Sequence, residues 1–296
     1  MAGRVGMVGL GLMGQAFAAN LLGAGFSVRG FDIDPRRMGE LADRGGEPAG
    51  SPAEAARGAR WVLTSLPTIE IVREAALGPG GIAEGASPGL LLADATTSRP
   101  ADSERLASEL AARGVRFLDA AVSGTSAMAW EKDLIVVAGG RAEDFEACRP
   151  LFAGFARAAY HMGPAGSGAL AKLIINLVLL SNRLALAEGL TLGMKAGMDL
   201  GALLTVLKEG AAGSKVMDQK GEKMIRGEYS PQSRLTTSYK DSGLMLEEGE
   251  RLGSPMLLTG LYHQVARIGI ETGLADLDPA ALVEVLREMA GMKRRV

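Results

Sequence analysis

Histidine, cysteine and aromatic side chains are scarce in this 296-residue chain, and each scarcity excludes something. The two histidines, His161 and His263, lie far apart and in no ligand spacing, which argues against a zinc site. The single cysteine, Cys148, rules out an internal disulfide framework and fits a reducing compartment. Within the helical pattern DFEACRPLF it reads as a small buried hydrophobe rather than a nucleophile. The net charge is −2 and both signs are spread along the chain, so no basic tract points to nucleic acid; the terminal KRRV reads as a solvated tail. There is no Gly-Lys-Ser/Thr loop for a nucleoside triphosphate, and AVSGT lacks the leading glycine of a hydrolase nucleophile elbow. The opening MAGRVGMVGLGLMG runs straight into a strand pattern without a separate apolar leader and cleavage site. The longest apolar run carries Lys172 and reads as too short to span a bilayer. A soluble cytoplasmic protein without nucleic-acid or membrane partners is therefore expected.

Glycine is abundant, at 41 residues, and apolar residues make up 47%, enough for a substantial core. The first half of the chain alternates short apolar strands (RVGMVGL, SVRGFDI, ARWVLTSLP, GLLLAD, VRFLDA, DLIVVAGG) with amphipathic helical stretches. A further short strand is possible near 47–49. Such alternation predicts βαβ units and a mainly parallel sheet. Near HMGPAGSG the pattern changes, and beyond Gly168 only helical segments are read: 168–196, 200–208, 214–226, 237–251, 255–271 and 279–290. The predicted fold class is α/β: a doubly wound Rossmann domain over 1–162, followed by an all-helical domain over 163–296 for substrate and oligomerisation.

Gly9, Gly11 and Gly14 form G-x-G-x-x-G directly after the first strand and at the start of the first helix. In that context Gly9 permits the tight turn, Gly11 lets backbone approach a pyrophosphate, and Gly14 lets helix pack on strand. Asp32 ends the next strand, 18 residues after Gly14, where a carboxylate reaches the adenosine ribose and repels a 2′-phosphate. This favours NAD; Arg36 and Arg37, just downstream, keep NADP possible, and Asp32 acting only as a cap is the plainer alternative. Asp34 reads as a helix N-cap before Pro35. Leu66 and Pro67, and Thr96 and Thr97, lie at two further strand ends, where open parallel sheets bind ligands, although turn roles alone would also explain them.

In GALAKLIINLVLL, residues 168–180, Lys172 and Asn176 are the polar residues of an otherwise apolar run. Positions four apart share a helix face, so both are expected to point into one place. An ammonium that is partly desolvated acquires partners or a lowered pKa and becomes a usable acid/base; a lysine snorkelling to solvent is the bland alternative.

These segments together resemble the β-hydroxyacid dehydrogenase family, which includes 3-hydroxyisobutyrate dehydrogenases and tartronate semialdehyde reductases. VGLGLMG is similar to its opening signature, LDAAVSGT to its substrate loop, GSGALAKLIIN to its Gly-x-x-x-Lys-x-x-x-Asn helix and YKDSGLMLE to its late Lys-Asp motif. The resemblance implies that Lys172 is the acid/base and that Asn176 orients the substrate or Lys172. It further implies that Ser123, Gly124 and the adjoining Thr125 meet the substrate carboxylate, and that Leu12, Met13, Leu66, Pro67, Thr96, Thr97 and Lys240 meet the cofactor. Spacing alone would leave Lys240 a solvated charge. Two departures stand out: Ala121 replaces the usual proline, and Thr125 replaces the second glycine, where it either narrows the site or adds a hydroxyl. Trp130 either closes the pocket or simply packs. The expected activity is hydride transfer between NAD and a small β-hydroxy acid or its semialdehyde. A glyoxylate or succinic semialdehyde reductase using NADPH, a related imine reductase and a non-catalytic NAD-binding module are the alternatives. The apolar breadth of the helix from 168 predicts a homodimer or homotetramer.

Overall fold

The computed structural model describes residues 3–296, which form two compact units, one ending at Lys172 and the other running from Leu173 to Val296. The first is built on eight strands: β1 (Arg4–Val8), β2 (Ser27–Phe31), β3 (Glu47–Pro48), β4 (Trp61–Thr64), β5 (Leu91–Asp94), β6 (Arg116–Ser123), β7 (Ile135–Gly139) and β8 (Ala158–Gly163). They form one sheet in the order β3-β2-β1-β4-β5-β6-β7-β8. All neighbours run parallel except β6 and β7. The order reverses between β1 and β4, and such a switch point is where doubly wound sheets open a crevice for a ligand. The short strand anticipated near 47–49 is β3. The strand β8 has no counterpart in the sequence reading, because AAYHMG is too exposed along its length to show an apolar signature.

The strands are apolar on both faces because both faces are covered. Val5, Met7, Trp61, Leu63, Leu91 and Ala93 point into one core, together with Phe17 and Leu21 of helix α1 (Leu12–Gly23). Val8, Val62 and Leu92, one residue out of phase, point into the opposite core. Between β2 and β6 come α2 (Pro35–Asp43), α3 (Pro52–Ala56), α4 (Ile69–Leu77), α5 (Ile82–Gly85) and α6 (Pro100–Ala111). Of these, α3, α4, α5 and α6 supply the second core through Ala55, Val72, Ile82 and Leu106. The short α7 (Ser126–Trp130) follows β6, and α8 (Ala142–Phe155) adds Phe152, Phe155 and Cys148 to the first core. Cys148 is fully buried, and burial pushes its thiol far above the ordinary range, so it is a packing residue.

Helix α9 (Ser167–Lys195) passes from the first unit into the second. At 29 residues it matches the helix read over 168–196, and by length and composition alone it would suffice to cross a membrane, which corrects the reading of its apolar run as too short. Its buried side instead belongs to a protein core, where Leu173, Leu180, Leu184, Ala187 and Leu190 pack. That core is completed by α10 (Leu200–Glu209), α11 (Lys215–Arg226), α12 (Leu235–Leu252), α13 (Leu257–Gly269) and α14 (Leu282–Met289). Two ionic groups are buried within it. The Lys220 amine lies 2.8 Å from an Asp278 oxygen, with both side chains almost wholly enclosed. Glu284 accepts from the Tyr229 hydroxyl and from Arg295. The KRRV segment is thus no solvated tail: Arg295 also donates to the carbonyls of Met224 and Ile225, and Arg294 to Thr272. The helix end leaves those carbonyls unsatisfied, and a guanidinium supplies the missing donors.

Candidate active site

At the switch point the backbone approaches itself more closely than any side chain permits. Gly9, at φ +92°, would place a Cβ 2.3 Å from the carbonyl oxygen of Ser65, so only glycine joins β1 to the turn beside the loop that follows β4. A Cβ on Gly14 would stand 2.0 Å from the Gly9 carbonyl oxygen, which is the close helix–strand packing expected of that position. Gly11 is the N-cap of α1; no side chain caps the helix and no acid sits in its first turn. The first amides of α1 and the positive end of its dipole are therefore available to an anion, and nothing stands nearer to a Cβ on Gly11 than an Arg37 nitrogen at 3.8 Å. Leu12 is exposed and Met13 half-buried on the same turn.

Asp32 reaches this turn from the end of β2. It is 6% exposed; Oδ2 accepts from the Leu10 N–H at 2.7 Å, Oδ1 accepts from the Asp34 N–H at 2.9 Å, and Arg37 Nη1 approaches to 3.3 Å. The carboxylate thus ties two strand ends together, and Arg37 is brought to the same place. Asp34 caps α2 by accepting from the Arg36 N–H, as its position before Pro35 predicted.

Leu66, Pro67, Thr96 and Thr97 lie on the loops after β4 and β5, and a buried residue holds these loops together. Asp94 Oδ1 accepts from the Thr64 hydroxyl at 2.7 Å and from the Thr96 N–H at 3.1 Å, while the Thr96 hydroxyl accepts from the Leu66 N–H at 3.2 Å. Burial pushes the Asp94 carboxyl up to about 6, against the pull of these donors. Sequence reasoning assigned Asp94 no part. Its one local signal was an acid at the end of an apolar strand, LLAD.

Ser123 closes β6, paired with Ile135 of β7, and is half-buried. Gly124 takes φ +143°, a region that favours glycine, and a Cβ there would meet Leu134 at 2.3 Å. The departure at Thr125 has a local cause: its hydroxyl oxygen accepts from the Met128 N–H at 3.3 Å and so caps α7. Trp130 is exposed, and the Arg44 guanidinium lies 5.4 Å from its ring centre.

Lys172 is half-buried on the second turn of α9, in the first unit. One helical turn later, in the second unit, Asn176 is 8% exposed and donates to Asp241 Oδ2 at 3.2 Å. Asp241 also pairs with the Lys240 amine at 3.4 Å. Lys240 is therefore not a lone solvated charge: with Asp241 and Asn176 it forms a polar cluster between α9 and α12. Asp241 was missed as a member, although it adjoins Lys240 in YKD. Among the described residues no group of three or more histidine, cysteine, aspartate or glutamate side chains is placed to hold a metal.

Comparison with known proteins bears on the fold and the family. Residues 4–163 match the NAD binding domain of 6-phosphogluconate dehydrogenase, and residues 166–286 match the NAD-binding domain of NADP-dependent 3-hydroxyisobutyrate dehydrogenase. The chain is 30% identical to 2-(hydroxymethyl)glutarate dehydrogenase of Eubacterium barkeri, over 98% of this chain and 96% of that protein. It is 31% identical to 3-sulfolactaldehyde reductase of Escherichia coli, over 99% of this chain and 98% of that one. A solved structure of 3-hydroxyisobutyrate dehydrogenase from Mycobacterium tuberculosis with L-serine superposes with a TM-score of 0.88 at 28% identity, covering 97% of this chain and all of that one.

The buried Asp94 generates a pH prediction. Its folded-state pKa of about 6 lies above the ordinary carboxyl value of 3.8, so between these values the folded protein binds more protons than the unfolded chain. The stability associated with the protonated carboxyl is therefore present below about pH 4 and is lost as pH rises through about 6. Asp94→Asn keeps an acceptor for Thr64 and Thr96 and removes the titration. Urea unfolding at pH 4.5 and 7.5 should show the variant gaining stability relative to wild type at the higher pH. An equal difference at both values would show that Asp94 does not titrate in this window.

Proposed function

The chain belongs to the β-hydroxyacid dehydrogenase family, and from that premise we propose that Lys172 is the acid/base for hydride transfer between NAD and a small β-hydroxy acid or its semialdehyde. The observation that carries this reading is the placement of a half-buried amine on the second turn of a helix that starts at the substrate-loop strand. The glycine turn suits the cofactor: Gly11 presents uncapped helix amides for the pyrophosphate, and Asp32 stands at the strand tip for the ribose. NAD supplies the hydride acceptor when bound. Lys172 accepts the hydroxyl proton as the alcohol is oxidised, and returns a proton to the carbonyl oxygen in reduction. Ser123 and Gly124 receive the substrate carboxylate through a hydroxyl and a backbone N–H, Thr125 shapes that loop by capping α7, and Asn176 orients the substrate or Lys172. Leu12, Met13, Leu66, Pro67, Thr96, Thr97 and Lys240 meet the cofactor.

The names of the relatives support the substrate class. They are named for a hydroxymethyl dicarboxylic acid and a sulfonated aldehyde, and the solved structure holds L-serine. Each is a small molecule that carries an acid group with an oxygen function near it. A second reading, NADPH-dependent reduction of a semialdehyde such as succinic semialdehyde, draws support from Arg37, whose guanidinium lies beside Asp32 where a 2′-phosphate would need a partner.

Lys172→Ala is expected to bind NADH as wild type does, by fluorescence titration, while turnover falls about 10²–10⁴-fold. Near-normal rates in that variant would remove the mechanism. Specificity constants should favour NAD over NADP, because Asp32 places negative charge where the 2′-phosphate would lie; the reverse ratio would transfer the assignment to the Arg37 reading. Helix α9 exposes Ile174, Val178 and Leu192 along one stripe, and α13 exposes Leu257, Leu258 and Leu261. Apolar surface of this extent calls for a covering partner, and we assign it to a second copy of the chain. Light scattering at micromolar concentration should give a dimer or tetramer; a monomer would contradict this.

A further inference from the structure

Helix α9 begins at a joint made by the sheet. Gly166 is its N-cap position, since the Leu170 N–H donates to the Gly166 carbonyl at 2.9 Å. Ala169 is then the third helical residue. The amides of the N-cap and of the third residue are the two that a capping box satisfies with side chains from within the helix's own first turn. Here both go to one carboxylate far back in the chain. Asp119 Oδ1 accepts from the Gly166 N–H at 2.8 Å, and Oδ2 accepts from the Ala169 N–H at 2.7 Å. Asp119 is 3% exposed, in the middle of β6.

Glycines exclude everything else from this joint. A Cβ on Gly168 would stand 2.3 Å from the Asp119 carbonyl oxygen and 2.7 Å from the Gly139 nitrogen; a Cβ on Gly139 would stand 2.7 Å from Asp119 Oδ1. Helix start, β6 and β7 therefore meet backbone to backbone. Asp119 stands near both residues to which the proposed chemistry is assigned. Ser123 lies four residues further along its own strand, and Lys172 lies three residues past the second amide it holds.

We propose that Asp119 is the positioning residue for Lys172: as a two-point cap supplied by the sheet, it fixes where the lysine helix starts relative to the strand that carries Ser123. The proposal rests on the reading of Lys172 as acid/base. Burial raises the Asp119 carboxyl and the backbone N–H groups pull it down, as expected of an acid enclosed so that it can accept from helix amides.

The test uses the full-length protein with whichever of 3-hydroxyisobutyrate, L-serine and 2-(hydroxymethyl)glutarate the wild type oxidises best. Asp119→Asn keeps the volume but presents an NH₂ group where an N–H has to be received. A displacement of about 1 Å at a reacting group costs about 100-fold, so kcat is expected to fall about 10- to 100-fold. The KM for NAD and the NADH dissociation constant should stay within about twofold, since the glycine turn is untouched, and amide hydrogen exchange over 164–172 should accelerate. In a Lys172→Ala background the same substitution should change the residual rate less than about twofold, as two residues acting through one group are not additive. If Asp119→Asn does not fold, Asp119→Ser, whose smaller hydroxyl accepts one of the two bonds, must show the same split between kcat and cofactor binding. Full kcat in a folded variant whose 164–172 amides exchange fast would make the cap merely structural and overturn the proposal. Lys172→Ala separates the two levels. An active Lys172→Ala removes the acid/base reading and the positioning role with it. An inactive Lys172→Ala beside a fully active Asp119→Asn overturns the positioning role alone.

Discussion

A helix cannot begin against a sheet unless its first amides find acceptors there, and the first unit meets this requirement with one enclosed carboxylate. Asp119 takes two amides of the α9 start while Gly139 and Gly168 clear the space for backbone contact. Without the acceptor, those amides would be buried without partners, at a cost of about 1–3 kcal/mol each. Without the glycines, a Cβ would drive the helix off the strand. The catalytic role proposed for Lys172 presupposes that this joint holds, because the amine sits within one turn of it.

The same device recurs at the nucleotide turn. Asp32 accepts from Leu10 and Asp34, and Asp94 accepts from Thr64 and Thr96. At each of these places an acid on a strand, at its tip or within it, captures backbone amides of a loop or helix that an open α/β sheet needs to hold still. Three aspartates, just after β2 and within β5 and β6, thus serve as internal scaffolding, each enclosed and each given donors. At the third acid the same joint needs glycine as well, since a Cβ on Gly139 would stand 2.7 Å from Asp119 Oδ1.

Much of this was legible from residue order. The Gly9, Gly11 and Gly14 spacing and the strand–helix alternation are local patterns, and local patterns survive in sequence. What escaped depended on long-range partners. Strand β8 is exposed and apolar only in part, so no alternation marked it. Asp119 and its amides are separated by 47 and 50 residues, and Asp94 reads as an ordinary strand-end acid until Thr64 is seen beside it. The Thr125 hydroxyl caps α7, a role that its place in LDAAVSGT did not announce. The basic residues Arg294 and Arg295 looked like a tail, and only the fold shows the open carbonyls of Met224 and Ile225 that Arg295 fills.

The central claim is that one amine carries the proton in the chemical step. The pH dependence of kcat/KM for hydroxy-acid oxidation, compared between wild type and Lys172→Arg, addresses it most directly, because a guanidinium keeps the charge and cannot give up its proton in this range. A rate-controlling ionisation present in wild type and absent from the arginine variant is the predicted result. The same ionisation, at the same pH and with the same amplitude in both, would place the acid/base elsewhere.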